Sequence, residues 1–194
     1  VENHKLPLVQ LNLVLKSGWS NDPSDKPGTA SLTAELLDEG TTTRNALQIS
    51  DAVRDLGAEL TTASSFDGSR VNLNILKRNL DRGLALMSDV VLNPTFPKDE
   101  LERQRGIYLG RIVQEAKQPS VAALKTFMRN LYGPEHPYGQ PFTGSGTEES
   151  IKAMHRDDLL NYYRSNYFPN NSAVVIGGDL SLQDGTAKLE KSFV

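Results

Sequence analysis

The sequence predicts an α+β fold, a two-layer sandwich in which a mainly antiparallel sheet carries helices on one face. Three observations lead there. Pro7 to Lys16 alternates, with Val9, Leu11, Leu13 and Leu15 on one side and Gln10, Asn12 and Lys16 on the other, as a half-buried strand does. A second alternating run, Val71, Leu73 and Ile75 against Arg70, Asn72 and Asn74, follows the turn signal Asp67-Gly68. Between and after these strands come apolar stripes of helical period, so strands and helices are partly segregated along the chain.

Each element has its own signal. After the first strand, Ser17-Gly18 and the Asn/Asp/Pro/Gly-rich stretch Asn21 to Gly28 form a loop. Thr29 to Glu39 carries Leu32, Leu36 and Leu37 and stops at Gly40, predicting a helix over that whole span. A second helix is written by Ala46, Ile49, Ala52, Val53 and Leu56, closed by Gly57. Ala58 to Ser64 pairs with Arg70 to Leu76 as an antiparallel hairpin.

Leu80, Leu84, Met87 and Val91 mark a third helix ending before Pro94. Pro97 sits in the first turn of a fourth helix that runs to about Ala116, and Pro119 opens a fifth that stops at Gly133. Short helices over Glu148 to Met154 and Asp157 to Asn166 precede a strand, Ala173 to Ile176. Ser181 is the expected N-cap of a last helix, Leu182 to Phe193.

At 194 residues the chain is read as one α+β domain, 1–194. A net charge of -3, with Lys and Arg dispersed, argues against nucleic acid as a partner, and no apolar run is long enough to span a membrane. Cysteine is absent, which removes disulfides, thiolate nucleophiles and Cys-type zinc sites together. The opening Val1 to Lys5 reads as the middle of a strand-forming segment, so the chain is expected to be a piece of something longer. His4, His136 and His155 have no second His three to five residues away, and neither G-x-S-x-G nor a P-loop is present.

The run Gly28-Thr29-Ala30-Ser31-Leu32-Thr33-Ala34-Glu35-Leu36-Leu37-Asp38-Glu39-Gly40-Thr41 resembles the helix that carries the inverted zinc motif H-x-x-E-H in pitrilysin, insulinase and the mitochondrial processing peptidases. Leu56-Gly57-Ala58-Glu59-Leu60, Asn93-Pro94-Thr95-Phe96, Glu102-Arg103-Gln104-Arg105, His136-Pro137-Tyr138-Gly139 and Gly177-Gly178-Asp179-Leu180 are similar to the same family, in order along the chain.

Carried across residue by residue, the resemblance puts Ser31 at the first His ligand, Ala34 at the catalytic Glu, Glu35 at the second His and Arg111 at the third ligand, a Glu on a later helix. Two imidazoles four apart on a helix reach one tetrahedral ion, and a carboxylate between them activates the metal-bound water. Serine, alanine and glutamate do not, and a guanidinium adds positive charge where a divalent cation should sit. The expectation is therefore no catalytic residue and no metal ligand in this chain, with zinc only in a partner half.

Glu35 and Arg111 are read in two ways: as separate solvated charges, or as an ion pair closing the vacated metal position. The resemblance further implies a domain that builds a peptide chamber with a zinc-bearing homologous domain or subunit. An unfolded peptide would be added as a strand along Leu60, Thr61, Thr62 and Ala63, a stretch equally readable as an ordinary edge strand. The rival readings are an active metallopeptidase with an unrecognised site and a structural core-type subunit. A bacterial, periplasmic setting is preferred over a cytoplasmic one on family habit alone.

Overall fold

In the computed structural model, which describes residues 1–193, four strands and eight α-helices follow the predicted order. Strand β1, Leu8–Leu15, turns Val9, Leu11, Leu13 and Leu15 inward, none more than 6% exposed. Each such leucine removed from water stabilises the fold by roughly 2 kcal/mol, which pins the register, because a one-residue slip would expose all four. The hairpin β2, Glu59–Ser64, and β3, Ser69–Leu76, closes through Ser65 N–H donating to Gly68 O at 2.8 Å.

The sheet order is β2-β3-β1-β4, with β4 spanning Ser172–Gly178. Every named pair is antiparallel, and Leu11 of β1 faces Leu73 of β3 on one side and Ile176 of β4 on the other. Helices pack on the face that bears these residues, and one buried cluster joins it to Leu32, Leu84, Met87, Phe96 and Leu159. The opposite face shows Gln10, Arg70 and Asn74 to solvent.

Helix α1 is shorter than the sequence predicts. It spans Thr29–Glu35, and the chain then tightens into a 3₁₀ turn, Leu37–Glu39. Leu32, Leu36 and Leu37 are all fully buried. The break falls at Leu36, where φ −97° and ψ 0° leave the regular α-helical values and redirect the chain before Leu37.

Next come α2, Ala46–Asp55, capped by Asn45 and Gln48 reciprocally, and α3, Leu80–Leu92. Gly83 brings α3 down onto the sheet, since a Cβ there would lie 2.4 Å from Ile75 Cδ1. Helix α4, Lys98–Ala116, starts one residue later than expected, with Pro97 as its N-cap. Then follow α5, Pro119–Tyr132; α6, Glu148–Ala153; α7, Arg156–Asn166; and α8, Leu182–Ser192, where Ser181 accepts from Asp184 N–H as its cap. Val194, the last residue of the expected domain span, lies outside the described residues.

Candidate functional site

Helix α1 is held at its start by a side chain from the preceding loop. The Asp22 carboxylate accepts from Gly28 N–H and Ala30 N–H, both at 2.7 Å. Gly28 adopts φ 98°, a left-handed conformation that costs glycine nothing and lets the chain swing into the helix. Burial pushes the Asp22 carboxyl up to about 7 although both N–H bonds oppose the shift. Deep in this helix Ala34 is fully buried and Ser31 is 7% exposed, while Glu35, four residues beyond Ser31, emerges toward α4.

Arg111 meets it there. Its Nη1 lies 3.5 Å from Glu35 Oε1, an ion-pair contact longer than a good hydrogen bond. The side chains keep 41% and 31% exposure respectively, so water screens the pair in part. The Arg111 guanidinium also lies over the ring of Tyr108, one turn back on α4, 4.5 Å from its centroid. Tyr108 is fully buried and its hydroxyl has no hydrogen-bond partner among the described residues. Burial pushes the pKa of its hydroxyl well above the ordinary tyrosine value, and the Glu35 charge adds to that.

Further along the α1–α4 seam, Arg103 contacts Glu39, and Gln104 Nε2 donates to the same carboxylate at 3.1 Å. Asp38 is pushed up to about 6, first by burial and then by the charges of Glu39 and Glu35. The seam thus sets three acids of the α1 end against two arginines of α4. It offers no imidazole, and among the described residues no group of three or more His, Cys, Asp or Glu side chains is placed to hold a metal ion.

Of the residues singled out in sequence, the structure brings Glu35 and Arg111 together and places Ser31 and Ala34 on the same short helix. Leu60, Thr61, Thr62 and Ala63 lie on β2, an outer strand of the sheet, and α1 packs closely against that strand. His4, His136 and His155 stay apart. His4 Nδ1 sits 2.6 Å from Asp179, His136 Nδ1 accepts from Tyr138 N–H, and His155 caps α7.

Sequence reasoning missed Tyr108, whose spacing three before Arg111 was a usable signal. It also missed Glu115, a buried acid on α4 that accepts from Lys125 Nζ, Thr143 Oγ1 and Ser145 Oγ at 2.7–2.9 Å. Burial alone would raise its carboxyl; these three donors outweigh that and hold it below the usual range. No local pattern announced Glu115.

Sheet, helices and seam together define an α+β domain with antiparallel strands and no imidazole along α1. The sequence profile of the insulinase family, peptidase family M16, matches residues 1–142, and the chain belongs to that family. An uncharacterised zinc protease of Mycobacterium leprae is 30% identical over 91% of this chain and 39% of its own length. The non-peptidase homolog YmxG of Helicobacter pylori is 25% identical over 99% of this chain and 44% of its own. The crystal structure of a peptidase M16 inactive domain from Pseudomonas fluorescens superposes with a TM-score of 0.93 at 29% identity, covering all of this chain and 46% of that one. The chain spans less than half the length of each of these relatives.

Proposed function

We propose that this chain is a non-catalytic half of an M16 metallopeptidase, which completes a peptide-binding chamber with a zinc-bearing homologous half. The observation that carries the reading is the Glu35–Arg111 contact. If Ser31, Ala34, Glu35 and Arg111 stand where the family holds its ligands and general base, the place of a dication is taken by a carboxylate, and a guanidinium supplies the positive charge. Such a pair fills space and balances charge, but it offers neither a Lewis acid nor an activated water.

The outer strand β2, beside α1, supports the second part of the proposal. An extended peptide laid along Leu60 to Ala63 would gain backbone hydrogen bonds with little regard to its sequence, which suits unfolded substrates. In this reading zinc belongs to the partner half and this chain takes none. An exported, periplasmic location belongs to the same proposal, with a cytoplasmic one as the alternative, and cell fractionation decides between them. Among the described residues no helix is long and apolar enough to cross a membrane.

Reconstitution tests the function. The chain by itself should bind no zinc after dialysis and cleave no unstructured peptide, and mixing with its zinc-bearing homologue should raise proteolysis above that of the homologue alone. Zinc uptake with cleavage by the isolated chain would reject the proposal, and an inert mixture would favour a purely structural subunit.

A further inference from the structure

Residues 118–144, from the end of α4 to the loop before α6, are fastened to the rest of the fold at few points. Gln118 N–H donates to Glu115 O at the joint with α4; beyond it, among the described residues, each backbone hydrogen bond of the segment closes within the segment. Helix α5 has no buried residue, and its Phe127 and Leu131 are 57% and 58% exposed. Among the described residues, none of the segment's apolar side chains joins the buried cluster beneath the helices.

Side-chain hydrogen bonds cross from the segment to the body at two places. At the first, Lys125 Nζ and Thr143 Oγ1 both donate to Glu115, at 2.7 and 2.9 Å. Glu115 is a buried acid, 8% exposed, and a charge held away from water needs such donors; Ser145 Oγ, at 2.7 Å, is a third. At the second, Tyr138 Oη donates to Asp67 at 2.7 Å, in the turn that joins β2 to β3. Phe66, next to Asp67, backs this contact, its ring centroid 5.1 Å from that of Tyr138 and 5.2 Å from that of Phe142.

We infer that residues 118–144 form a strap that opens and closes as one cooperative unit while the sheet, α1 and α4 stay folded. A segment opens at a free energy set by what it must give up, and here that is two small fastenings and some half-buried apolar contacts, with no core residue and no strand ladder. The joints suit a hinge. Pro119 has no N–H to carry the hydrogen bonding of α4 into α5, and Gly144, at φ 69°, takes a left-handed conformation that costs glycine nothing. Opening breaks the Tyr138–Asp67 contact and so releases the turn at the end of β2. In the proposed function β2 receives the peptide, and the strap then sets how firmly one end of that strand is held; this consequence rests on that reading, whereas the opening itself does not.

Amide hydrogen exchange on the chain and on two single variants tests it. Lys125→Met removes the ammonium at one fastening and keeps an aliphatic stem, and Tyr138→Phe removes only the hydroxyl at the other. A cooperative strap speeds exchange along the whole of α5 and on to Phe142 in either variant, the intact fastening included, by on the order of tenfold for Lys125→Met and roughly threefold for Tyr138→Phe. The amides of β1, β3 and α3 stay unchanged. Acceleration confined to the neighbourhood of the substituted residue would overturn the inference, since the two fastenings would then be independent. Acceleration spread evenly over the entire chain, or none in α5, would overturn it as well. The readout needs neither zinc nor a partner half, so its failure and that of the proposed function are separate results.

Discussion

Arg111 reaches Glu35 across the α1–α4 seam at 3.5 Å while its guanidinium lies 4.5 Å above the ring of Tyr108. One side chain therefore serves two contacts, and they differ in worth. The ion pair is partly solvated and contributes about 0.5 kcal/mol, whereas the stack on a buried ring adds about 1 kcal/mol. Arg111→Ala should lose about 1–2 kcal/mol in chemical denaturation and Glu35→Ala less than 1 kcal/mol. A double-mutant cycle measures their coupling, and zero coupling would mean that the pair is two independent surface charges.

Rebuilding the metal site tests the residue assignment directly. The quadruple variant Ser31→His, Ala34→Glu, Glu35→His and Arg111→Glu should acquire about one zinc per chain, because it restores a three-ligand set with an open position. Metal analysis after exhaustive dialysis reads this. If the variant folds by circular dichroism yet holds no zinc, these four positions do not converge as assigned.

Asp22 sets a pH dependence whose sign is fixed by its environment. Its carboxyl rises from 3.8 unfolded to about 7 folded, so the protonated acid is the form the fold prefers. Its contribution is complete below about pH 4 and is lost as pH rises toward 7, a total of a few kcal/mol. Asp38, raised to about 6, acts in the same direction. Asp89, Asp158 and Glu115 are all lowered, and they lose stability only as pH falls below the ordinary carboxylate range. Asp22→Asn should therefore gain on the wild type between pH 4 and pH 8 in urea titrations. A stability difference that stays flat across that range would refute the assignment.

Gly83 should resist even alanine. The substitution improves helix propensity by about 1 kcal/mol, but its Cβ would meet Ile75 Cδ1 at 2.4 Å, and strain in a packed core costs about 1–3 kcal/mol. Gly83→Ala should destabilise on balance. Ile75→Val deletes the clashing methyl, so the same alanine should be tolerated better in that background; thermal melts of the four proteins decide.

Much of this was legible along the chain. The alternation in β1 and β3 named the inward residues correctly, and the helices from Ala46 to Tyr132 fell within a residue or two of their predicted ends, since period and breakers are local properties. The break of α1 after Glu35 was not, because it depends on where the core lies relative to Leu36 and Leu37. Nor was β1's place between β3 and β4, which relies on contacts more than 150 residues apart in sequence, such as Leu11 with Ile176.

The candidate site divides along the same line. Sequence by itself determined which side chains stand at Ser31, Ala34, Glu35 and Arg111, and residue type alone decides whether a position can ligate zinc. Tertiary structure decided that Glu35 and Arg111 touch, that Tyr108 supports the guanidinium, and that Asp22 and Glu115 sit buried among their donors. Those are matters of distance and solvent exclusion between segments remote in the chain, and they come into being only when α1, α4 and their loops pack against one sheet.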